Sequence, residues 1–297
     1  MYGGIEAGGT KFVCVLGTGP EDIIETARID VAAPAETIAA SLAFFRRAID
    51  AGVPLEALGI GSFGPVELRE GHPHRGWITS TPKPGWSGTD LVGPVASVLG
   101  LPVGFDTDVN AAALAESRWG AARGLRSFIY ITLGTGIGGG AVVEGQVLHG
   151  LGHPEMGHVA VPRRPGDSFV GGCPFHGDCF EGMASGPTIA ARFGRRAETL
   201  GGADRAAAAA LVAFYLAAGV RSLVYALAPE RIVVGGGLSA IPGLFGAARS
   251  ELARQLADYP GLPEHVNDGF LVPAALGGMA GPAGTLILAE DAANAAA

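Results

Sequence analysis

Residues 127–148 read SFIYITLGTGIGGGAVVEGQVL. An apolar run, Phe128 to Leu133, enters the turn Gly134-Thr135-Gly136, and a second run leaves through Ala141, Val142 and Val143. Apolar and β-branched residues broken by a glycine turn predict two strands joined as a hairpin. The chain opens on the same theme. Residues 2–16, YGGIEAGGTKFVCVL, lead in through Ile5, turn at Gly8 and Gly9, and lead out through Phe12, Val13, Cys14 and Val15. The likeness is a weak internal duplication, and it implies two halves that begin alike.

Strands and helices alternate after each hairpin. Residues 21–29 read as a third strand, and 57–62 and 102–105 as short buried strands. Ile38, Leu42, Phe45 and Ile49 recur at helical spacing and predict a helix over 35–51, ended by Gly52. Helices are also expected over 91–99 and 111–120, with 71–90 as loop. The second half should carry strands over 231–234 and 270–272 and helices over 184–196, 244–256 and 281–290. A long helix ending at Leu227 should be capped by Asp204, and the alanine-rich tail should fray. This pattern is α/β. The expected lobes are 1–117 and 118–280, with the last helix, about 281–297, returning to the first.

Apolar residues make up 48% of the 297 and charged residues 16%, which suits two packed cores and excludes a disordered chain. The net charge of −8 argues against a nucleic-acid partner. Three cysteines fit a reducing compartment. No basic start followed by an apolar core marks a signal peptide, and the apolar run Ala206 to Val220 is too short for a bilayer. A cytoplasmic protein with no membrane partner is expected.

Glycine turns expose backbone N–H groups that bind phosphate oxygens. Gly8, Gly9, Gly134 and Gly136 supply two such turns, Thr10 and Thr135 add hydroxyls, and Lys11 adds a charge. A dinucleotide fingerprint needs a helix after the turn, and here a strand follows Gly138. Two matched turns, facing each other across two lobes, predict a phosphate clamp. Gly235-Gly236-Gly237, followed by Ser239, would let a flat base lie against the backbone, with Gly186 and Pro187 lining the same pocket. Asp108 stands before Asn110 at a strand end, where α/β sheets bind ligands, and is the candidate general base. Its other reading is a helix cap. Asp106 is assigned capping or pairing, and Glu6 could hold Mg2+ through water.

Residues 152–182 read GHPEMGHVAVPRRPGDSFVGGCPFHGDCFEG. Two of the three cysteines and three of the seven histidines fall there. His158, Cys173, His176 and Cys179 predict a closed tetrahedral zinc site of the structural kind. Such a site would pin Glu155 and Glu181 as candidate ligands of a polar substrate. His149 and His153 could donate to metal or substrate. His72 and His74 read as solvated loop, as do Arg163 and Arg164, and Lys83 and Trp86 as cover for a sugar face.

These residues together resemble the ROK family of sugar kinases, within the actin-like ATPase (ribonuclease H-like) fold. GIEAGGTK at 4–11 and LGTGIGGG at 133–140 are similar to its two phosphate motifs, DVNAAALAE at 108–116 to its catalytic segment, and GGG at 235–237 to its adenosine motif. GHPEMGH at 152–158 and STPKPGW at 80–86 suggest the bacterial fructokinase subgroup. The resemblance implies two lobes with a cleft between them and a zinc-bearing loop. It implies ATP-dependent phosphorylation of a hexose, D-fructose to fructose 6-phosphate, with Asp108 as base. Asn110, Glu155, His158 and Glu181 would touch the sugar, Lys11, Thr135 and the turn glycines would hold ATP, and Mg2+, structural Zn2+ and a homodimer are implied too. Glu6 stands where most of the family has Asp, Thr107 where many of its hexose kinases have Asn, and His176 where much of it has a third cysteine. The alternatives are a glucokinase or broad hexose or mannose kinase, and a non-catalytic sugar-sensing module. A transcriptional regulator of the family is expected to carry a DNA-binding region ahead of the first phosphate motif, which here begins at residue 4.

Overall fold

The computed structural model describes residues 1–297. The chain forms two compact units: Met1–Gly120 with Val147–Pro154 and Gly278–Ala297, and Ala121–Gln146 with Glu155–Gly277. The sequence expectation ran the second lobe unbroken over 118–280; in the structure Val147–Pro154 belongs to the first unit.

The first unit contains β1 (Tyr2–Ala7), β2 (Lys11–Gly17), β3 (Glu25–Asp30), α1 (Pro34–Asp50) and β4 (Ala57–Ser62). Two short strands follow, β5 (Trp77–Ile78) and β6 (Thr89–Asp90), then α2 (Val92–Leu99), β7 (Val103–Thr107) and α3 (Asp108–Arg118). The second unit adds β8 (Phe128–Leu133), β9 (Ile137–Val143), β10 (Gln146–Val147), α4 (Phe180–Ala184), α5 (Gly186–Phe193), α6 (Gly202–Leu227), β11 (Arg231–Gly235), α7 (Leu244–Leu256) and β12 (Leu271–Pro273). The chain closes with α8 (Ala280–Ala296).

The main sheets run β3-β2-β1-β4-β7 and β10-β9-β8-β11-β12. Numbered within its own sheet, each order is third, second, first, fourth, fifth. Both open with an antiparallel hairpin and continue with parallel strands. The duplication that is faint in sequence is therefore complete in topology.

Side chains alternate across a strand. On β2, Phe12, Cys14 and Leu16 face a core with Ile5, Ile60 and Phe105, closed by Phe44 and Phe45 of α1 and by Trp86. Val13 and Val15 face the other way, against Leu286 of α8. That second face is built differently. Register sets Gly4 opposite Gly59, and Gly59 opposite Gly104, so three neighbouring strands form a glycine row. A Cβ on Gly59 would lie 1.9 Å from the Thr285 carbonyl oxygen, and one on Gly104 2.1 Å from that of Leu288. Backbone therefore lies on backbone, and α8 rests directly on the sheet. On its far side α8 packs as closely on α3, where a Cβ on Gly284 would lie 1.8 Å from the Ala111 carbonyl oxygen.

Several local expectations change: the 71–90 segment carries β5 and β6, His72 pairs with Glu67 at 3.5 Å and His74 stacks on Trp77. Helix α6 begins at Gly202 with Gly201 at its N-cap; Asp204 lies inside the first turn and pairs with Arg195 at 2.7 Å. Helix α8 runs on to Ala296, where fraying was expected. Helix α3 begins at Asp108, three residues early, because Thr107 caps it. Arg163 is not merely solvated, since it pairs with Asp178 at 2.9 Å. Helix α6 is long and apolar enough for a membrane span, yet 78% of its apolar window is buried, as a core helix requires.

The glycine row makes a simple prediction. Gly59→Ala forces backbone apart and should cost about 1–3 kcal/mol or more. Thermal unfolding would show a lower Tm, and an unchanged Tm would contradict the direct seating of α8.

Candidate active site

Asp108 is the first residue of α3. The Thr107 hydroxyl oxygen accepts from Asn110 N at 3.1 Å, so capping falls to Thr107 and Asp108 is left for other work. Its Oδ1 accepts from Val109 N at 2.9 Å. Burial pushes its pKa up to about 6, against the pull of backbone hydrogen bonds. Glu6 lies near the end of β1. A Cβ on Gly281, in the first turn of α8, would lie 2.0 Å from Glu6 Oε1. Burial, and then the charge of Asp108, raise Glu6 to about 7, while Lys11 works the other way. A nearby cation would favour the ionised form of both carboxyls.

The β1–β2 turn closes through Gly8 N donating to Lys11 O at 3.0 Å. Gly9 and Thr10 are exposed, and a Cβ on Gly9 would meet nothing within 4 Å. Lys83 reaches this turn from another loop, its Nζ donating to Gly9 O at 2.5 Å. It was expected to cover a sugar face.

Beside Asp108 is a polar group that sequence reading only half assembled. Asp106, 4% exposed, accepts from Asn110 Nδ2 at 2.7 Å and from Thr107 N at 2.7 Å. Its Oδ2 meets His149 Nε2 at 2.9 Å, and that hydrogen bond raises the His149 pKa. The contact fixes the Asn110 amide, leaving its buried Oδ1 as an acceptor without a partner. A buried unmatched acceptor is expected to receive something, such as a substrate hydroxyl. His153 Nε2 accepts from Val66 N at 3.0 Å, and burial lowers its pKa. Neither His149 nor His153 joins the metal group.

In the second unit, the β8–β9 turn is tied on two sides. Gly186 N, at the start of α5 beside Pro187, donates to Gly134 O at 2.8 Å, and Ile137 N donates to Glu181 Oε2 at 2.9 Å. Gly136 has no room for a side chain, since its Cβ would lie 2.7 Å from that same carboxylate oxygen. Thr135 stays exposed. The Gly235-Gly236-Gly237 run divides. Gly236 has φ +83° and approaches Leu133 closely, so packing requires it, whereas Gly237 faces open space. The Ser239 hydroxyl donates to Gly236 O at 2.7 Å. Glu155 is exposed, and its carbonyl oxygen accepts from His158 N at 3.0 Å.

His158, Cys173, His176 and Cys179 bring one ligand atom each to within 4.8 Å of one another. The two Nδ1 atoms are 3.3 Å apart, and both sulfurs lie 3.6 Å from His158 Nδ1. A tetrahedron with Zn–N of about 2.0–2.1 Å and Zn–S of about 2.3 Å has edges of about 3.3 and 3.6 Å. The donor set and its spacing thus fit a closed metal site. The loop that carries Cys173 is anchored elsewhere: Asp167 accepts from Arg192 at 2.8 Å and from the Tyr215 hydroxyl at 2.5 Å. Burial disfavours the Asp167 carboxylate, but these partners outweigh it and hold its pKa below the usual range.

Two α/β units of one strand order, each opened by a glycine hairpin, with a half-buried acid following the last strand of the first sheet, define the actin-like fold of two-lobed sugar kinases. The chain belongs to the ROK family, which it matches over residues 2–292. Five relatives 38–44% identical to it have fructokinase in their names. The fructokinase of Zymomonas mobilis is 41% identical over 296 residues, 99% of this chain and 98% of the relative. Among solved structures, the ROK hexokinase of Thermus thermophilus is 28% identical, with a TM-score of 0.78 over 99% of each chain. A ROK glucokinase from Streptomyces griseus, in complex with glucose and AMPPNP, is 27% identical, with a TM-score of 0.75 over 98% of this chain and 99% of that one.

Elemental analysis of the purified protein should find one zinc per chain, and Cys173→Ser should lose it. Without metal the two imidazoles lose their common partner, so residues 159–180 should become sensitive to protease. A metal-free protein equally resistant to protease would contradict a scaffold role.

Proposed function

We propose that this chain transfers the terminal phosphoryl group of Mg·ATP to a hexose, D-fructose first, giving fructose 6-phosphate. The observation that carries the kinase reading is Asp108: a carboxylate whose pKa burial raises to about 6, near enough to Glu6, two residues ahead of a glycine turn, to raise that acid as well. The names of the relatives that share 38–44% of the sequence support fructose over other hexoses.

Phosphoryl transfer is catalysed mostly by positioning and charge stabilisation. Asp108 would take the proton of the attacking hydroxyl. A base near 6 is ionised at neutral pH and more basic than an ordinary aspartate, which suits that step. Asn110 Oδ1 would accept from a sugar hydroxyl, with Glu155, His158 and Glu181 as the other sugar contacts. The two turns, Gly8, Gly9, Gly134 and Gly136, with the exposed Thr10, Thr135 and Lys11, would hold phosphate. Gly235, Gly236, Gly237, Ser239 and Pro187 would serve the base. Mg2+ would neutralise phosphate charge, and Glu6, whose ionisation a cation favours, is the residue to hold it. Zinc would hold His158 and the loop around it. A cytoplasmic homodimer belongs to the same reading.

With Mg·ATP in excess, kcat/KM should be higher for fructose than for mannose or glucose. It should fall as pH drops through about 6, where Asp108 gains its proton. Asp108→Asn should lose about 10²–10⁴-fold in kcat while still binding ATP. Near-normal turnover by that variant would sink the base assignment, and a preference for glucose would sink the choice of sugar.

A further inference from the structure

The chain has 20 lysines and arginines, and only Lys11 and Lys83 are lysine. Everywhere else a cation is wanted, arginine supplies it. The two exceptions meet at one place, the β1–β2 turn: Lys11 lies at its exit, and the Lys83 ammonium sits on the Gly9 carbonyl oxygen at 2.5 Å. An ammonium is a compact charge with three rotatable donors, whereas a guanidinium is a rigid planar fork. A carbonyl engages one donor and leaves the charge uncompensated, so Lys83 still has two N–H groups to give.

A purely mechanical role, latching the 79–88 loop to the turn, is already filled. Trp86, 1% exposed, packs on Phe12 and Phe63 and donates through Nε1 to Ala32 O at 3.2 Å. Thr81 N donates to the Ser87 hydroxyl oxygen at 3.1 Å, and that hydroxyl donates back to Thr81 O at 3.1 Å. The loop stands without its lysine.

We propose that Lys83 is a catalytic residue that leaves the Gly9 carbonyl to bind the phosphoryl group being transferred, sharing its charge with Lys11. This rests on the kinase reading and names the second cation of the same site. In the step, the sugar hydroxyl oxygen bonds to phosphorus and the bond from phosphorus to the bridging oxygen of ATP breaks. The hydroxyl proton goes to Asp108, and ADP leaves with the bond's electron pair. Lys83 exchanges no proton; it supports charge on the oxygens of the moving group.

Calorimetry on the full chain, without sugar, would compare Mg·AMPPNP with Mg·ADP in wild type and Lys83→Met. The variant should lose about 10- to 100-fold in affinity for Mg·AMPPNP, the worth of one hydrogen bond to a charged group, while Mg·ADP binds as before. Its kcat for fructose should fall at least as far, with KM for fructose held. Equal weakening of both nucleotides, or no change in either, overturns the proposal. Lys83→Gln serves if the Met variant does not fold. A wild type that phosphorylates no hexose would end the functional reading, yet the nucleotide comparison would still decide Lys83.

Discussion

The close seating of α8 on the first sheet is the constraint on which the site depends. Gly4, Gly59 and Gly104 stand in one row across β1, β4 and β7, and none can carry a side chain while the helix lies there. That contact brings the first turn of α8 against Glu6 and its next turn against α3. Glu6 is thereby pressed against helix backbone. The C-terminal helix, far from any motif in sequence, thus covers one face of the sheet that carries the β1–β2 turn.

Enclosure has an electrical consequence. Glu6 and Asp108 each hold a proton more firmly than an exposed acid, chiefly from burial, and Glu6 also because Asp108 is near. Raised carboxyl pKa values of this kind cluster at functional sites, which is the support for the proposed role of this pair. The cations near the same turn, Lys11 and Lys83, are the counterpart. Asp106 extends the arrangement, orienting the Asn110 amide and engaging His149. In the second unit the Glu181 carboxylate ties the β8–β9 turn, accepting from Ile137 N and lying close over Gly136.

Much of this was legible in the chain. The paired hairpins at 2–16 and 127–148 gave the two units, since a glycine turn between apolar runs has few other solutions. The metal group was legible because soft ligands are rare and four fell at short spacing. What stayed hidden was whatever depends on contacts distant in sequence. Asp106 reads in sequence as a capping or pairing acid, but its partners, His149 and Asn110, show only in the structure. Val147–Pro154 looked like part of the second lobe, because no local pattern says which unit a short link joins. The glycines at 59 and 104 carry no motif at all; only a helix 180 or more residues later explains them. The two lysines stand out in the composition, but only the structure brings Lys83 to the turn that Lys11 follows.

The central claim is that burial makes Asp108 unusually basic. A raised pKa means that the folded chain binds that proton more tightly than the unfolded one. Ionised Asp108 therefore costs stability above its folded pKa of about 6, and the cost vanishes as pH falls below the ordinary 3.8. The gap, about 6 minus 3.8, corresponds to about 3 kcal/mol. Comparing the unfolding free energy of wild type and Asp108→Asn at pH 8 and at pH 4 measures it directly. The account predicts a variant more stable than wild type at pH 8, with the advantage shrinking toward pH 4. A difference that is the same at both pH values would contradict it.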